Sequence, residues 1–163
     1  MKLKIYLIIG LFFSLSAMAQ EGPLESLLNV YRIEVEEADD GSIQETLVEA
    51  EEAAPGESLE YVLTYRNVGD QVLRGFVIKN RIPENTNYLG ETDSANIGAD
   101  FLVSIDYGVT WEDVPVTRVV TDSTGAERTI VIPPAQYTNI SWLVNEDLAP
   151  ESEFELHYRV TIL

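Results

Sequence analysis

Hydrophobic and polar residues alternate along much of the chain. The clearest case is the last segment, "EFELHYRVTI", in which Phe154 and every second residue after it are apolar, while the charged side chains lie between them. Such alternation is typical of a β-strand with one buried face. It places His157 and Arg159 on the outward, solvated face of that strand. The same pattern predicts strands in "NVYRIEVEE", "ESLEYVLTYRN", "LRGFVIKNRIPE" and "QYTNISWLV".

Turn-forming residues separate these segments. Asp40-Gly41 is a strong hairpin signal, and the first half of "QETLVEAEEA" lies between that hairpin and Pro55-Gly56, so we expect a strand there. "FLVSIDYG" and "VTWEDVPV" predict a hairpin around Tyr107-Gly108, and "ERTIVI" predicts a strand that ends at two prolines. The stretch Asn67-Val68-Gly69-Asp70 predicts a tight turn that uses left-handed backbone angles.

The sequence therefore predicts eight to ten short strands and no long helix. Short strands with turn signals between them are typical of an all-β, antiparallel β-sandwich. About 144 residues remain after the N-terminal segment described next, which is enough for one domain with a core of its own.

The N-terminus has the features of a secretory signal peptide, predicted over residues 1–19. Lys2 and Lys4 precede an apolar run, and Ala17-Met18-Ala19 supplies the small residues that signal peptidase accepts. The run is too short for a permanent membrane span. We expect an exported protein, periplasmic or extracellular, whose single domain comprises residues 20–163. The chain has no cysteine, so neither N-terminal lipidation nor a disulfide framework is expected.

The chain is strongly acidic, with a formal net charge of −18. Removal of Lys2 and Lys4 with the signal peptide would leave eight basic residues against 28 acidic ones, or about −20. Such a chain repels phosphate backbones and anionic membrane surfaces, so neither nucleic acid nor a membrane is an expected partner.

The stretch "APGESLEYVLTYRNVGDQVLRGFVIKNRIPENTNYL" resembles the bacterial conserved-repeat family known as domain of unknown function eleven. The resemblance covers about residues 28–163 and includes "FLVSIDYGVTWEDV" and "YTNISWLVNEDLAPESEFELHYRV". It implies an immunoglobulin-like β-sandwich of the cell envelope without known catalysis. Family members often carry Asp where Asn80 stands and Gly where Glu151 stands. The positions that carry the resemblance in its first part are Pro55, Gly56, Glu57, Tyr61, Asn67, Gly69, Ile82, Pro83 and Tyr88.

The residue types of common catalytic and metal sites are scarce. His157 is the single histidine, and without cysteine it completes neither a nucleophilic triad nor a zinc site.

Two acidic regions are compatible with other functions. Carboxylates and aromatic rings near the predicted hairpin are compatible with a glycan site or a hydrolase, and Asp39 and Asp40 are compatible with calcium. The residues of the predicted hairpin site are Asp106, Tyr107, Trp111, Glu112 and Asp113.

The sequence favours a non-catalytic structural or interaction module, exported to the envelope of a Gram-negative bacterium. No catalytic, cofactor-binding or metal-ligating residue is assigned, and no cofactor is expected, calcium being the one candidate. A protein of the envelope or cell surface is the candidate partner, and the segment from Leu28 to Glu36 is a candidate for donating a strand to it or accepting one. The alternatives are a glycan- or calcium-binding sandwich and, less favoured, a carboxylate-dependent hydrolase. The sequence does not indicate an oligomeric state.

Overall fold

The computed structural model describes residues 22–38, 40–90 and 94–163. Nearly all of its regular structure is β, and the only helix in these ranges is a 3-10 turn at Pro134–Gln136. The strands are β1 (Leu24–Glu37), β2 (Ile43–Glu49), β3 (Ser58–Asn67), β4 (Val77–Arg81), β5 (Thr86–Tyr88), β6 (Ser94–Ala95), β7 (Ala99–Ser104), β8 (Thr117–Thr121), β9 (Glu127–Val131), β10 (Asn139–Val144) and β11 (Glu153–Ile162).

Two antiparallel sheets enclose the core. The large sheet has the order β2-β1-β3-β11-β5, with β6 also paired to β11, and the small sheet has the order β4-β10-β7. Aromatic rings from both sheets meet between the layers: Trp142 of the small sheet lies 6.4 Å from Tyr158 of the large one, between ring centroids. Strands β8 and β9 form a separate two-stranded ribbon. The all-β antiparallel sandwich expected from the sequence is confirmed.

The inward residues of β11 are those that the alternation predicted. Phe154, Leu156, Tyr158 and Val160 are all buried, and β11 lies beside β3 near the middle of the large sheet. A central strand with one face on the core has the strongest alternation because each inward position must be apolar. This is why the sequence identified β11 and β3 so clearly.

One predicted strand is absent from the structure, and three strands that were not predicted are present. Residues 109–116 form no strand. Only one bridge, Val103 to Glu112, remains of the predicted hairpin, and Pro115 has no N–H to donate to a ladder. Conversely, β8 was not predicted, although its β-branched run "TRVVT" pairs with β9 around a turn at Asp122. The short strands β5 and β6, which lie between β4 and β7, were not predicted either.

The turn at Asn67 to Asp70 forms by a different mechanism from the one predicted. Neither Asn67 nor Gly69 has a left-handed backbone angle. The Asn67 amide donates to the carbonyls of Gln71 and Leu148, and its oxygen accepts from the Gly69 N–H. Gly69 is required because an added Cβ would lie 2.8 Å from the Pro23 Cβ. The fully buried Asn67 side chain thus holds the turn together and links it to the loop at Leu148.

Within the described ranges, no helix is long and apolar enough to cross a membrane. The predicted signal peptide, residues 1–19, lies outside the described residues.

Candidate interaction surface

Strand β1 is longer than either of its neighbours, so parts of it have a partner on one side only. Residues 24–32 pair with β3, and residues 31–37 pair with β2. Over Leu24–Asn29, therefore, no described strand lies on the side of β1 away from β3. At about 3.3 Å per residue, this unpaired stretch, which we call the β1 edge, is about 20 Å long.

The register identifies the backbone groups that the β1 edge presents. The Val68 N–H donates to the Pro23 carbonyl on the β3 side, and the Ala50 N–H donates to the Val30 carbonyl on the opposite side. Hydrogen-bonded positions alternate along an antiparallel pair. The N–H and C=O groups of Leu24, Ser26 and Leu28 therefore point away from β3, where no described strand receives them.

Two leucines flank this edge, one on each face of the sheet. Leu27 is 59% exposed on the outer face and Leu28 is 52% exposed on the inner face. Leu28 lies directly opposite Leu63, which is buried. The contrast arises because a three-stranded sheet does not cover the full width of the larger one. Exposed apolar residues beside unpaired backbone are typical of an edge that accepts another strand.

The turn at Asn67 and Gly69 positions one end of the β1 edge. Pro23, immediately before β1, packs on Gly69, and its carbonyl accepts from the Val68 N–H. Asn67 is itself held by backbone carbonyls from two loops. The edge therefore begins from a fixed point, which lowers the entropy cost of ordering it against a partner.

The predicted edge, Leu28 to Glu36, overlaps the β1 edge at two residues. Leu28 and Asn29 belong to it, whereas Tyr31 and Arg32 have strand partners on both sides. Beyond Arg32, β1 pairs with β2 only. The side on which β3 lies over residues 24–32 has no described strand partner there. The residues that the sequence missed are those from Leu24 to Leu27. Their sequence "LESL" has no clean alternation, so periodicity gave no signal there.

His157 lies on the outward face of β11 as predicted, but it is not a solvated side chain. Its Nδ1 lies 2.9 Å from an oxygen of Glu60, and Arg159 donates to the other oxygen at 2.7 Å. Glu60 is only 6% exposed. Burial by itself raises the pKa of Glu60, but the hydrogen bonds from His157 and Arg159 outweigh it and leave that pKa below its ordinary value. The group is a charge cluster without a nucleophile, and it stabilises the pairing of β3 with β11.

Asp106, a candidate residue for a glycan or hydrolase site, uses its carboxylate for hydrogen bonds within its own turn. Its carboxylate accepts from the N–H and hydroxyl of Thr110 and from the hydroxyl of Ser104. These bonds, led by the Thr110 hydroxyl, lower the pKa of Asp106 to about 2. Glu112 forms a paired salt bridge with Arg118, which also lowers its pKa. A general acid needs a raised pKa, so neither carboxylate fits that role near neutral pH. Asp113 has no hydrogen bond among those described.

The two aromatic residues of this loop each lie beside a cation of β4. Lys79 Nζ is 4.9 Å from the centroid of the Trp111 ring, and Arg81 lies 6.0 Å from that of Tyr107. Tyr107 is 74% exposed and has a left-handed φ of 61°. The sequence pattern indicated the two rings but not the two cations, which belong to a strand distant in sequence.

Calcium has no support from the described residues. The Asp40 carboxylate accepts from the Ser42 N–H within its hairpin, whereas Asp39 lies outside the described residues. No group of three or more potential ligand side chains in the described ranges could hold a metal ion. A groove of about 820 Å³ beside the C-terminal half of β1 is lined by three carboxylates. Each is already engaged: Glu34 with Arg32, Glu45 with Arg159 and Glu57 with the Ala54 N–H.

Comparisons with known protein families, with curated proteins and with solved structures found no match to this chain. The resemblance to the conserved-repeat family stays a prediction.

Proposed function

We propose that this protein is an exported, non-catalytic interaction module of a bacterial envelope, which binds a partner strand at the β1 edge. The observation that carries the proposal is the unpaired backbone of Leu24–Asn29 with an exposed leucine on each face. Backbone hydrogen bonds would supply affinity, and pockets for alternate side chains would supply selectivity. The signal-peptide pattern of residues 1–19 supports export.

A photo-crosslinking amino acid at position 27 tests this function in cells that export the chain. We expect discrete protein adducts at position 27 and none at position 119. Val119 is a matched control because it is 65% exposed on the separate β8–β9 ribbon. Adding Ser26→Pro to the position-27 variant removes an outward N–H, so it should abolish the adducts. Absence of adducts at position 27, or adducts unaffected by Ser26→Pro, would refute strand addition.

A glycan-binding function is a second candidate, favoured by the paired rings and cations on the small sheet. Exposed Tyr107 and partly buried Trp111 offer aromatic faces, and Lys79 and Arg81 offer hydrogen-bond donors beside them. Asp106 would act as the support of the turn rather than as a ligand contact. Thermal stability measured against a glycan panel tests this, because a specific ligand raises apparent stability. Tyr107→Ala should remove any shift, and flat responses across the panel would end this candidate.

A further inference from the structure

We infer that the strand accepted at the β1 edge is the same segment of a second copy of this chain. Two molecules would pair antiparallel about Ser26, so that their large sheets join into one continuous sheet. This inference rests on the proposed function of the β1 edge and names its partner.

The first argument is the register. A two-fold axis at Ser26 pairs Ser26 with its counterpart, and Leu24 with Leu28 of the other copy. This alignment engages all three residues whose backbone groups point outward, and each such pair exchanges two hydrogen bonds, about six in all. A two-fold axis one residue later would pair Leu24 with Val30, whose carbonyl already accepts from Ala50. An axis one residue earlier leaves Leu28 facing Gly22, outside the strand.

The second argument is the chemistry of the side chains that this register brings together. Leu24 and Leu28 of opposite copies meet on the inner face, where Leu28 is now half exposed. Leu27 of each copy lies opposite Glu25 of the other on the outer face. Apolar side chains that lie directly opposite one another across paired strands are close enough to pack together. The small Ser26 at the axis leaves room for close approach.

The third argument is charge. Two chains that each carry about −20 after signal cleavage repel one another at most of their surface. From Gly22 to Val30 the chain has a single acid, Glu25, whereas eleven acids and no Lys or Arg lie between Arg32 and Arg66. The outer edge of β2 carries Glu45 and Glu49, so self-pairing there would bring carboxylates together. The β1 edge is the part of this sheet margin where two copies can approach at the lowest electrostatic cost.

A single introduced cysteine tests the register, because the chain has none of its own. Hydrogen-bonded antiparallel partners have Cα atoms about 5.5 Å apart, within the range that a disulfide spans. We expect purified mature Ser26→Cys to form a dimer under mild oxidation and to return to monomer on reduction. Thr46→Cys is the matched control, because it lies exposed on β2 and would crosslink only if copies paired through that strand. Sedimentation equilibrium of the unmodified mature chain should give twice the monomer mass, and Ser26→Pro should give the monomer mass.

The outcomes separate this inference from the proposed function. One outcome is a monomeric mature chain that still gives position-27 adducts in cells, with Ser26→Pro abolishing those adducts. This would overturn the inference that the partner is a second copy, and would support strand addition to another protein. A monomer with no such adducts would overturn both. A dimer that persists in Ser26→Pro, or that crosslinks equally through Thr46→Cys, would place self-association elsewhere and overturn the inference.

Discussion

The two margins of the large sheet differ in how completely they are covered. On one side, β5 pairs with residues 160–162 of β11 and β6 with residues 156–157, while backbone N–H groups of Leu89 and Asn96 donate to the carbonyls of Arg159 and Glu155. On the other side, neither Leu24–Asn29 of β1 nor the outer edge of β2 has a described strand partner. Strands of two and three residues are thus enough to cover an edge in this fold. Because natural sheets usually protect their edges, the apolar and unpaired β1 edge supports the proposal that it binds a partner.

The connection between β2 and β3 explains how the β1 edge stays open. Strand β2 ends at Glu49 opposite Tyr31, and β3 begins at Ser58 on the other side of β1. Residues 50–57 therefore cross from one side of β1 to the other instead of continuing along it. The chain leaves β1 before its N-terminal half acquires a second neighbour.

The largest expected difference is in the free energy of unfolding, between alanine variants of a leucine on β11 and of a leucine on the β1 edge. Leu156 is fully buried on β11, so Leu156→Ala should lower the free energy of unfolding by about 2–5 kcal/mol. Leu28→Ala should lower it by less than about 1 kcal/mol, because half of that side chain is already in water. It should instead weaken dimer formation. Urea unfolding and sedimentation measure the two effects, and comparable losses of stability would contradict the comparison.

Adjacent prolines on β1 sharpen the comparison further. The N–H of Glu25 points toward β3, so Glu25→Pro leaves the Arg66 carbonyl without a donor and should cost about 1–3 kcal/mol. The N–H of Ser26 points outward, so Ser26→Pro removes no hydrogen bond within the monomer and should destabilise it less than Glu25→Pro does. Only Ser26→Pro should abolish association while the fold remains intact. Equal destabilisation by the two prolines would mean that the assigned direction of these N–H groups is wrong.

Alternation predicted the covered part of this sheet and missed the open part for a physical reason. On β11 and β3, one face meets the core at every second residue, so the inward positions had to be apolar. On Leu24–Asn29 the core touches little beyond Leu24, and the burial pattern that alternation reports is absent. Which backbone edge stays unpaired depends on the relative lengths of β1, β2 and β3. The hydrophobic pattern of a single sequence does not predict those relative strand lengths.

The candidate chemistry of the hairpin loop was predictable only as a set of residue types. The sequence placed Asp106, Tyr107 and Trp111 near one turn, and they are near one turn. It did not show that the Asp106 carboxylate is satisfied by Ser104 and Thr110, because side-chain hydrogen bonds depend on local backbone geometry. Glu60 is a similar case: a polar position on an outward face is buried by partners that are about a hundred residues away in sequence.

Charge on the outer face gives a third test, because an ion cluster links β3 to β11 there, whereas the β1 edge carries exposed leucines. The pKa of Glu60 is lowered in the folded state from an ordinary value of 4.5. Its contribution to stability is therefore present above pH 4.5 and is lost as the pH falls through the folded pKa. Glu60→Gln should cost about 1–3 kcal/mol at neutral pH, and its deficit relative to the natural chain should shrink below pH 4.5.

The exposed neighbour of His157 supplies the control for that test. Glu155→Gln should change stability by less than about 1 kcal/mol, because the Glu155 carboxylate is a surface partner 3.5 Å from His157 Nε2. Urea unfolding at several pH values measures both variants. A deficit for Glu60→Gln that stays constant from neutral pH to strongly acidic pH would show that the Glu60 charge is not responsible. Dimer formation at neutral pH should be unaffected in either variant.

The smallest expected effect lies in the turn that leads into β11. Glu151 has a left-handed φ of 62° and forms a surface ion pair with Arg66. Glycine adopts this angle without a steric cost, whereas other residues pay about 1–2 kcal/mol, partly offset by the greater freedom of glycine in the unfolded chain. Glu151→Gly and Glu151→Ala both remove the ion pair, so the difference between them isolates the backbone. We expect the glycine variant to be more stable than the alanine variant by about 1 kcal/mol in urea unfolding, with association unchanged in both. Equal stability would mean that the turn relaxes away from the left-handed angle, and a change in association would show that the two margins of the sheet are coupled.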